Sequence, residues 1–579
     1  MHGDHVVPYR VSRRTNVHEL QALCPTCNLK KGSSMNADLV SIALDRLADN
    51  GMVPRPHQLA GMKRAADLRL GIVQDLVTFC FVTPGGGKTG MAFSVIDMLV
   101  SGGFVGQVIW AVPRTALLAQ VEEGSAGNPF CPSYQLESLI ENKAPIRLSR
   151  QHGSVGYVTT YQAIGQNPDC HAQFAELGRT LFIGDEWHHC REGNEGAWGP
   201  AASEVVKRCH HSWLMSGTIL RHDQGKLPCV EYAENEDGLL VPKCHIEYRM
   251  RDALRDRCII PIEFIYHDGW THYMHHSIEH KVDISTASSD QVKKVIQTFA
   301  RKGEYRWGLL TRCLEHFTEY RKNRYASRLI IVEFDRERAA RTTEWLAANY
   351  PRFHSVLAVS DDGDRRYGDG DEAIRQFRAD GVGDILVTVG KAYEGLDVPD
   401  VSHMAILCDV RSKPWLTQCF ARATRVYTKS GLNYAQMKAY IFVPDDPLMR
   451  KITQDILNDQ DKGIRLRPED GDEHGWLDGG VSPGASSFIP IDSEQDGIKF
   501  GDASGVMSRE ESRVVDQILR DYPDFVGVSP QSIISLLRNQ GILDPNPERQ
   551  RQMTISQHCI VLRRKIANKA AARDAALGE

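Results

Sequence analysis

Apolar and polar positions alternate along this chain in a way that marks two long α/β stretches. In the first, short apolar runs recur at Leu76–Val82, Val108–Val112, Val155–Thr159 and Leu181–Ile183, with segments of helical pattern between them. Met91–Val100 is one such segment and reads as an amphipathic helix. Runs this short with little polar interruption fit strands covered on both faces, and intervening helices predict parallel crossovers. A second alternation runs through Leu329–Val332, Ser355–Val359, Ile385–Val389, Met404–Leu407 and Tyr440–Val443. The fold class predicted is α/β, with two parallel-sheet lobes in tandem over residues 46–230 and 326–466.

The flanking segments differ. Residues 1–45 form a small polar module ending in a helical pattern around Leu39 to Leu47. Residues 231–325 read as a connector, largely helical after Asp283, in which His272, His276 and His280 fall four apart, a spacing that could put them on one helix face. Residues 467–507 carry the Pro, Gly, Ser and Asp of a flexible linker. Residues 508–579 read as a small helical module, with Ser508-x-x-Glu511 as a capping box, Ser529-Pro530 opening a second helix and Gly541 past its end.

Composition narrows the class. A chain of 579 residues exceeds one compact core. Its net charge of -5 supplies no global basic field, so any nucleic-acid surface must be local. The charged start from Met1 to Arg14 is not a secretory signal, and no apolar run approaches the roughly 18 residues of a membrane span. The 14 cysteines are mostly scattered singly, which suits reduced thiols, and a cytoplasmic location is expected.

The sharpest chemistry lies at Thr83-Pro84-Gly85-Gly86-Gly87-Lys88-Thr89, between a strand and a helix. Gly85, Gly86 and Gly87 let backbone N–H groups converge on phosphate oxygens at a helix N-terminus. Lys88 is then placed for the β- and γ-phosphates, and Thr89 for magnesium. About a hundred residues on, Leu181–Gly184 ends at Asp185-Glu186-Trp187-His188. Asp185 can hold magnesium, Glu186 can orient and deprotonate a water, and His188 can couple the site to its neighbours.

Together these segments resemble superfamily 2 helicases of the restriction-enzyme and repair-translocase branch, over residues 53–445. Arg55-Pro56-His57-Gln58 resembles the adenine-reading motif, which implies nucleotide contacts from Arg55 and Gln58. Val112–Thr115 and Thr159–Gln162 resemble segments that grip a nucleic-acid backbone, and Ser216-Gly217-Thr218 resembles the motif linking hydrolysis to domain movement. Leu329–Phe334, Val387–Val389 with Glu394–Pro399, and Gln418-x-x-x-Arg422-x-x-Arg425 resemble the motifs of the second lobe. The resemblance implies RecA-like lobes, ATP and magnesium, nucleotide contacts from Gly395, Asp397 and Gln418, and arginine fingers at Arg422 and Arg425. DNA is the expected partner, and the motifs do not distinguish it from RNA. Partner proteins of a restriction, repair or phage-related system follow by the same analogy.

The N-terminal module resembles the HNH endonuclease ββα-metal motif, through Asp4-His5-x-x-Pro8 and Leu20-Gln21-x-Leu23-Cys24-x-x-Cys27-Asn28. The resemblance implies His5 as general base and Asp4 and Asn28 as ligands of a divalent ion. Glu19 stands where the family carries its middle Asn, which leaves two readings open: an active nuclease or a remnant that only binds DNA. The whole chain is expected to be an ATP-dependent DNA helicase or translocase with a fused HNH module. A repair or replication translocase is the alternative, and a nucleotide-regulated scaffold a third.

Overall fold

The protein is seen in a computed structural model. It describes residues 2–5, 20–23, 39–139, 154–190, 198–218, 226–235, 240–322, 327–359, 367–379, 383–389, 396, 398–458, 488–502 and 505–506. The fold divides into two compact units, the first running to Ile259 and the second starting at Ile260.

In the first unit, β1 (His2–His5) and β2 (Leu20–Leu23) pair antiparallel, with Asp4 opposite Gln21 and His5 opposite Leu20. A helix covers residues 39–49. Then follow α1 (Pro56–Leu70), β3 (Val77–Val82), α2 (Lys88–Ser101), β4 (Gln107–Val112), α3 (Ala116–Ser125), β5 (Gln135–Ser138) and β6 (Ser154–Thr160). The chain continues through α4 (Tyr161–Gln166), α5 (Pro168–Glu176), β7 (Thr180–Gly184), α6 (Gly199–Arg208) and β8 (His211–Ser216). A small antiparallel pair, β9 (Tyr232–Glu234) and β10 (Leu240–Pro242), precedes β11 (Ile246–Tyr248) and α7 (Met250–Arg255).

The main sheet has seven strands in the order β11-β3-β8-β7-β4-β6-β5, all parallel. Its strands are buried on both faces. On β4, Val108, Trp110 and Val112 enter one core with Met91, Val95 and Leu99, while Ile109 and Ala111 enter the other with Tyr161 and Val205. That double burial is why these strands read as unbroken apolar runs. Helix α2 departs from the amphipathic expectation, because every residue from Met91 to Leu99 is buried. Its outer side is covered by α1 and by the 39–49 helix, whose Arg46 pairs with the buried Asp97 at 2.9 Å.

The second unit begins with β12 (Ile262–His275) and β13 (Ile278–Asp283), then α8 (Ser289–Arg301), α9 (Tyr305–Lys322), β14 (Arg328–Val332), α10 (Arg336–Asn349) and β15 (Ser355–Ala358). It continues through α11 (Gly370–Arg378), β16 (Ile385–Thr388), β17 (Val401–Ile406), α12 (Lys413–Phe420), β18 (Ala439–Pro444), α13 (Pro447–Leu457), β19 (Phe488–Asp502) and β20 (Gly505–Val506). The strand order is β15-β16-β14-β17-β18-β12-β19-β20, with β13 also on β12. The first six are parallel, and β13, β19 and β20 add antiparallel pairs.

Three expectations change here. The region 231–325 is not only a connector: ahead of its long helices after Asp283, and after the short α7, β12 forms part of the second sheet. The histidines share no helix face. His272 lies on β12, His280 on β13, and His276 sits in the turn between them with φ at 49°. Residues 488–502, within the expected linker, form a strand paired with β12 over its length. The helical module over 508–579 lies outside the described residues. Among the described residues, no helix is long and apolar enough to cross a membrane.

Candidate nucleotide-hydrolysis site

Three neighbouring strands of the first unit, β3, β8 and β7, end at one edge of the sheet, where an open α/β sheet exposes its loop ends. β3 runs into the glycine-rich loop, β7 into Asp185, and β8 into Ser216-Gly217-Thr218. Parallel pairing therefore brings together three segments far apart in sequence.

The loop is held from below and from the side. Thr83 N–H donates to the Tyr248 carbonyl at 2.9 Å, and Gly86 N–H closes back on the Thr83 carbonyl at 2.8 Å. The Arg55 guanidinium donates to the Gly85 carbonyl at 2.9 Å and also to that of Gly86. Gln58 Nε2 donates to the Gly87 carbonyl at 3.1 Å, and Gln58 Oε1 accepts Arg55 N–H at 2.8 Å. Gly87 is left-handed, with φ at 96°, and a β-carbon there would lie 2.9 Å from Gln58 Nε2. Only glycine meets both demands. α2 then starts at Lys88, so its N-terminal dipole faces the loop.

Lys88 Nζ forms an ion pair with Glu186. The other Glu186 oxygen accepts Gly217 N–H at 3.3 Å and lies 3.5 Å from His188 Nδ1. His188 Nδ1 is also 3.0 Å from Ser216 Oγ, so the acidic turn and the β8 end are joined by one imidazole. Asp185 N–H donates to the Ala111 carbonyl at 2.9 Å, and its own carbonyl accepts the Tyr161 hydroxyl at 2.7 Å. Asp185 Oδ1 accepts Glu186 N–H at 3.0 Å. Burial pushes the Asp185 carboxyl up, with the Glu186 charge adding to it and Lys88 opposing. Burial also works to raise Glu186, but Lys88 and His188 outweigh it and hold that carboxylate below its usual range.

The donor set fits a magnesium polyphosphate. A cation, a helix N-terminus and two carboxylates converge where a β-carbon on Gly217 would come within 3.1 Å of Lys88 Nζ. Thr89 is exposed at the start of the same helix.

Other expected residues divide. Arg114 is half-buried and Thr115 and Gln162 are exposed. Tyr161 and Thr159 are buried, and Tyr161 holds the Asp185 carbonyl instead of presenting its hydroxyl outward. In the second unit, Gln418 is buried in α12, and Arg422 Nη1 donates to the Leu396 carbonyl at 3.0 Å. Arg425 is half-buried. Gly395, Asp397 and Asn28 lie outside the described residues, and the side chains of Asp4 and His5 do as well. Among the described residues, no group of three or more His, Cys, Asp or Glu could hold a metal ion.

Sequence reading missed one support of the site and named the other only within Ser216-Gly217-Thr218. Tyr248 receives Thr83 N–H and stacks on His57 with ring centroids 4.1 Å apart. Gly217 contributes a backbone N–H to Glu186. The short apolar run Ile246-Glu247-Tyr248 was the available signal for the first, since β11 lies directly against β3.

Residues 51–218, which contain all three loop ends, match the model of the family described as type III restriction enzyme, res subunit. Over that region the chain is similar to this family. Residues 1–34 match the HNH endonuclease family. The chain is thus similar to a helicase-like restriction family over residues 51–218 and to HNH endonucleases over residues 1–34. An uncharacterised protein of Mycobacterium leprae is 27% identical over 417 residues, covering 71% of this chain and 66% of its own length. One from Mycobacterium tuberculosis is 26% identical over 477 residues, covering 78% and 75%. The chain therefore spans just under two thirds of the first of these relatives. A fragment assigned as an HsdR subunit of a type I restriction enzyme from Vibrio vulnificus aligns at 16% identity and a TM-score of 0.45, covering 69% of this chain and 65% of that one. A DNA-bound, ATP-dependent type ISP restriction-modification enzyme aligns at 13% identity and a TM-score of 0.46, covering 71% and 30%.

Proposed function

We propose that this protein is a nucleic-acid-dependent ATPase that moves along DNA, with an HNH segment as its second activity. The observation that carries the reading is the convergence of Lys88, Glu186, His188, Ser216 and Gly217 at three adjacent strand ends. Thr89 and Asp185 would hold magnesium, which neutralises charge on the polyphosphate. Lys88 takes the β- and γ-phosphates, exchanging its partner Glu186 for phosphate oxygens. Glu186, so released, orients a water and accepts its proton. His188 passes the change in Glu186 to Ser216 through the hydrogen bond they share. Arg422 and Arg425 act as arginine fingers on the charge developing at the γ-phosphate. Backbone contacts to the DNA make the track sequence-independent.

Glu186→Gln tests the chemistry. It keeps the shape and a hydrogen-bond acceptor but removes the base, and it should lower kcat by about 10²- to 10⁴-fold while ATP still binds. An unchanged kcat would remove Glu186 from the mechanism. For the HNH segment, Asp4 and His5 are consecutive in β1, opposite Gln21 and Leu20 of β2. His5→Ala should abolish metal-dependent nicking of DNA and leave ATP hydrolysis intact. Wild-type protein that never nicks, yet binds DNA through this segment, would select the remnant reading.

A further inference from the structure

Arg411 stands two residues ahead of α12, the helix that carries Gln418 and leads into Arg422 and Arg425. Its side chain is buried, 1% exposed, and so is that of Asp446, 0% exposed. Nη2 donates to Asp446 Oδ2 at 2.8 Å, and Nε lies 3.1 and 3.2 Å from the two carboxylate oxygens. Nη1 donates to the carbonyls of Cys408 at 3.0 Å and Val410 at 2.9 Å. Asp446 Oδ1 also accepts Met449 N–H at 3.0 Å and so caps α13. One guanidinium thus closes the loop from Cys408 to Arg411 on itself and fixes it to the start of α13.

The far end of α12 is fixed from another direction. The carbonyl of Thr424, between the two arginines, accepts Ile260 N–H at 2.9 Å, and the Phe420 ring meets Phe264 edge-on at 5.2 Å. A buried ion pair gains little stability over apolar residues of the same volume, but it tolerates only one geometry. Placed at the root of α12, that property sets where the turn Arg422–Arg425 sits.

We propose that Arg411 is a positioning residue for hydrolysis, acting through α12 on Arg422 and Arg425 without itself touching nucleotide. The proposal rests on the arginine-finger reading above. The test uses the full chain carrying Arg411→Gln with Asp446→Asn, a neutral pair that leaves no bare cavity and keeps a side-chain oxygen to accept Met449 N–H. It is made in wild-type and Arg422→Ala backgrounds. The neutral pair should lower nucleic-acid-stimulated kcat on the order of 10²-fold, with affinity for a fluorescent ATP analogue within about threefold of wild type. In the Arg422→Ala background the same pair should cost less than about twofold, because groups acting as a unit are not additive. Amide exchange should rise over Ser412–Arg425 and stay unchanged over Leu329–Val332. If the neutral pair does not fold, Arg411→Lys carries the same comparison, since an ammonium cannot bind two carboxylate oxygens and two carbonyls together. Full kcat in the folded variant, equal losses in both backgrounds, or unaltered exchange over Ser412–Arg425 would each overturn the proposal. A wild-type protein with no hydrolysis would instead sink the ATPase reading, and the positioning role with it. The exchange measurement keeps the two failures distinguishable.

Discussion

Glu186 holds its backbone at φ 51° and ψ 51°, a left-handed conformation that costs a side-chain-bearing residue about 1–3 kcal/mol. The Asp185 carboxylate, the buried Trp187 and the Lys88 ion pair hold it there. Gly87 meets the opposite case. Gly87→Ala would force φ 96° on a residue with a β-carbon placed against Gln58, and it should cost about 1–3 kcal/mol and abolish binding of an ATP analogue. Retained binding at wild-type stability would show that the loop is looser than its geometry. Three buried histidines of the first unit set its response to acid. His57, His171 and His211 are each pushed down to about 4 by burial, with Arg55 adding to the effect on His57 and Arg64 on His211. An unfolded histidine takes up its proton near 6.5, so between about 6.5 and 4 the unfolded chain binds more protons than the folded one. Stability is therefore present above that window and falls as pH falls through it, by up to about 1.4 kcal/mol per pH unit for each residue. Denaturant unfolding followed from pH 7 to pH 4.5 should show this loss, and His171→Gln should flatten it. An unchanged midpoint across that range would contradict the assignment of these side chains as buried and neutral.

At the scale of elements, β19 shows what local pattern hides. Gly303, in the turn between α8 and α9, has φ at 84°, and a β-carbon there would lie 2.1 Å from Ser493 N. Glu304 N–H donates to the Ser493 carbonyl at 2.7 Å, so this turn is the seat of the strand. Gly303→Ala should detach β19, read as faster amide exchange over Phe488–Asp502 with Arg328–Val332 still protected. Protection equal to wild type would mean that β12 alone holds the strand. The strands of the two parallel cores were legible because each is buried on both faces, as Leu181, Phe182 and Ile183 illustrate by alternating between two cores. β12 was not legible. His267, Asp268 and Thr271 are buried within it, and the fold, not water, meets the polarity of Asp268 and Thr271. Asp268, for example, accepts Ser285 Oγ–H at 2.7 Å. β19 reads as a linker because Ile491, Asp492 and Glu494 face solvent and its ordering comes from backbone pairing with a strand distant in sequence. The residues of the candidate site were legible for a different reason. Asp185 and Ser216 lie at or next to strand ends and Lys88 opens the helix after the glycine loop, so their placement follows from the elements themselves, whereas Tyr161 and Tyr248 act through backbone carbonyls and atoms that no short motif encodes.

For the whole molecule, the formal charge of -5 means that the proposed attraction to nucleic acid must come from a local basic surface and not from a global field. Binding that rests on phosphate contacts should weaken steeply with salt, with log affinity falling by about 0.9 per contact for each tenfold rise in salt on duplex DNA. A salt-independent affinity would place recognition elsewhere. The central claim is that a hydrolysis site built on β3, β7 and β8 is driven by nucleic acid, and its most direct test is the rate of ATP hydrolysis with and without single- and double-stranded DNA and RNA, for wild type and Lys88→Ala. Strong stimulation by one of these polymers, absent in Lys88→Ala, is the expected result. A rate that no polymer raises, or a stimulated rate that survives loss of Lys88, would contradict it.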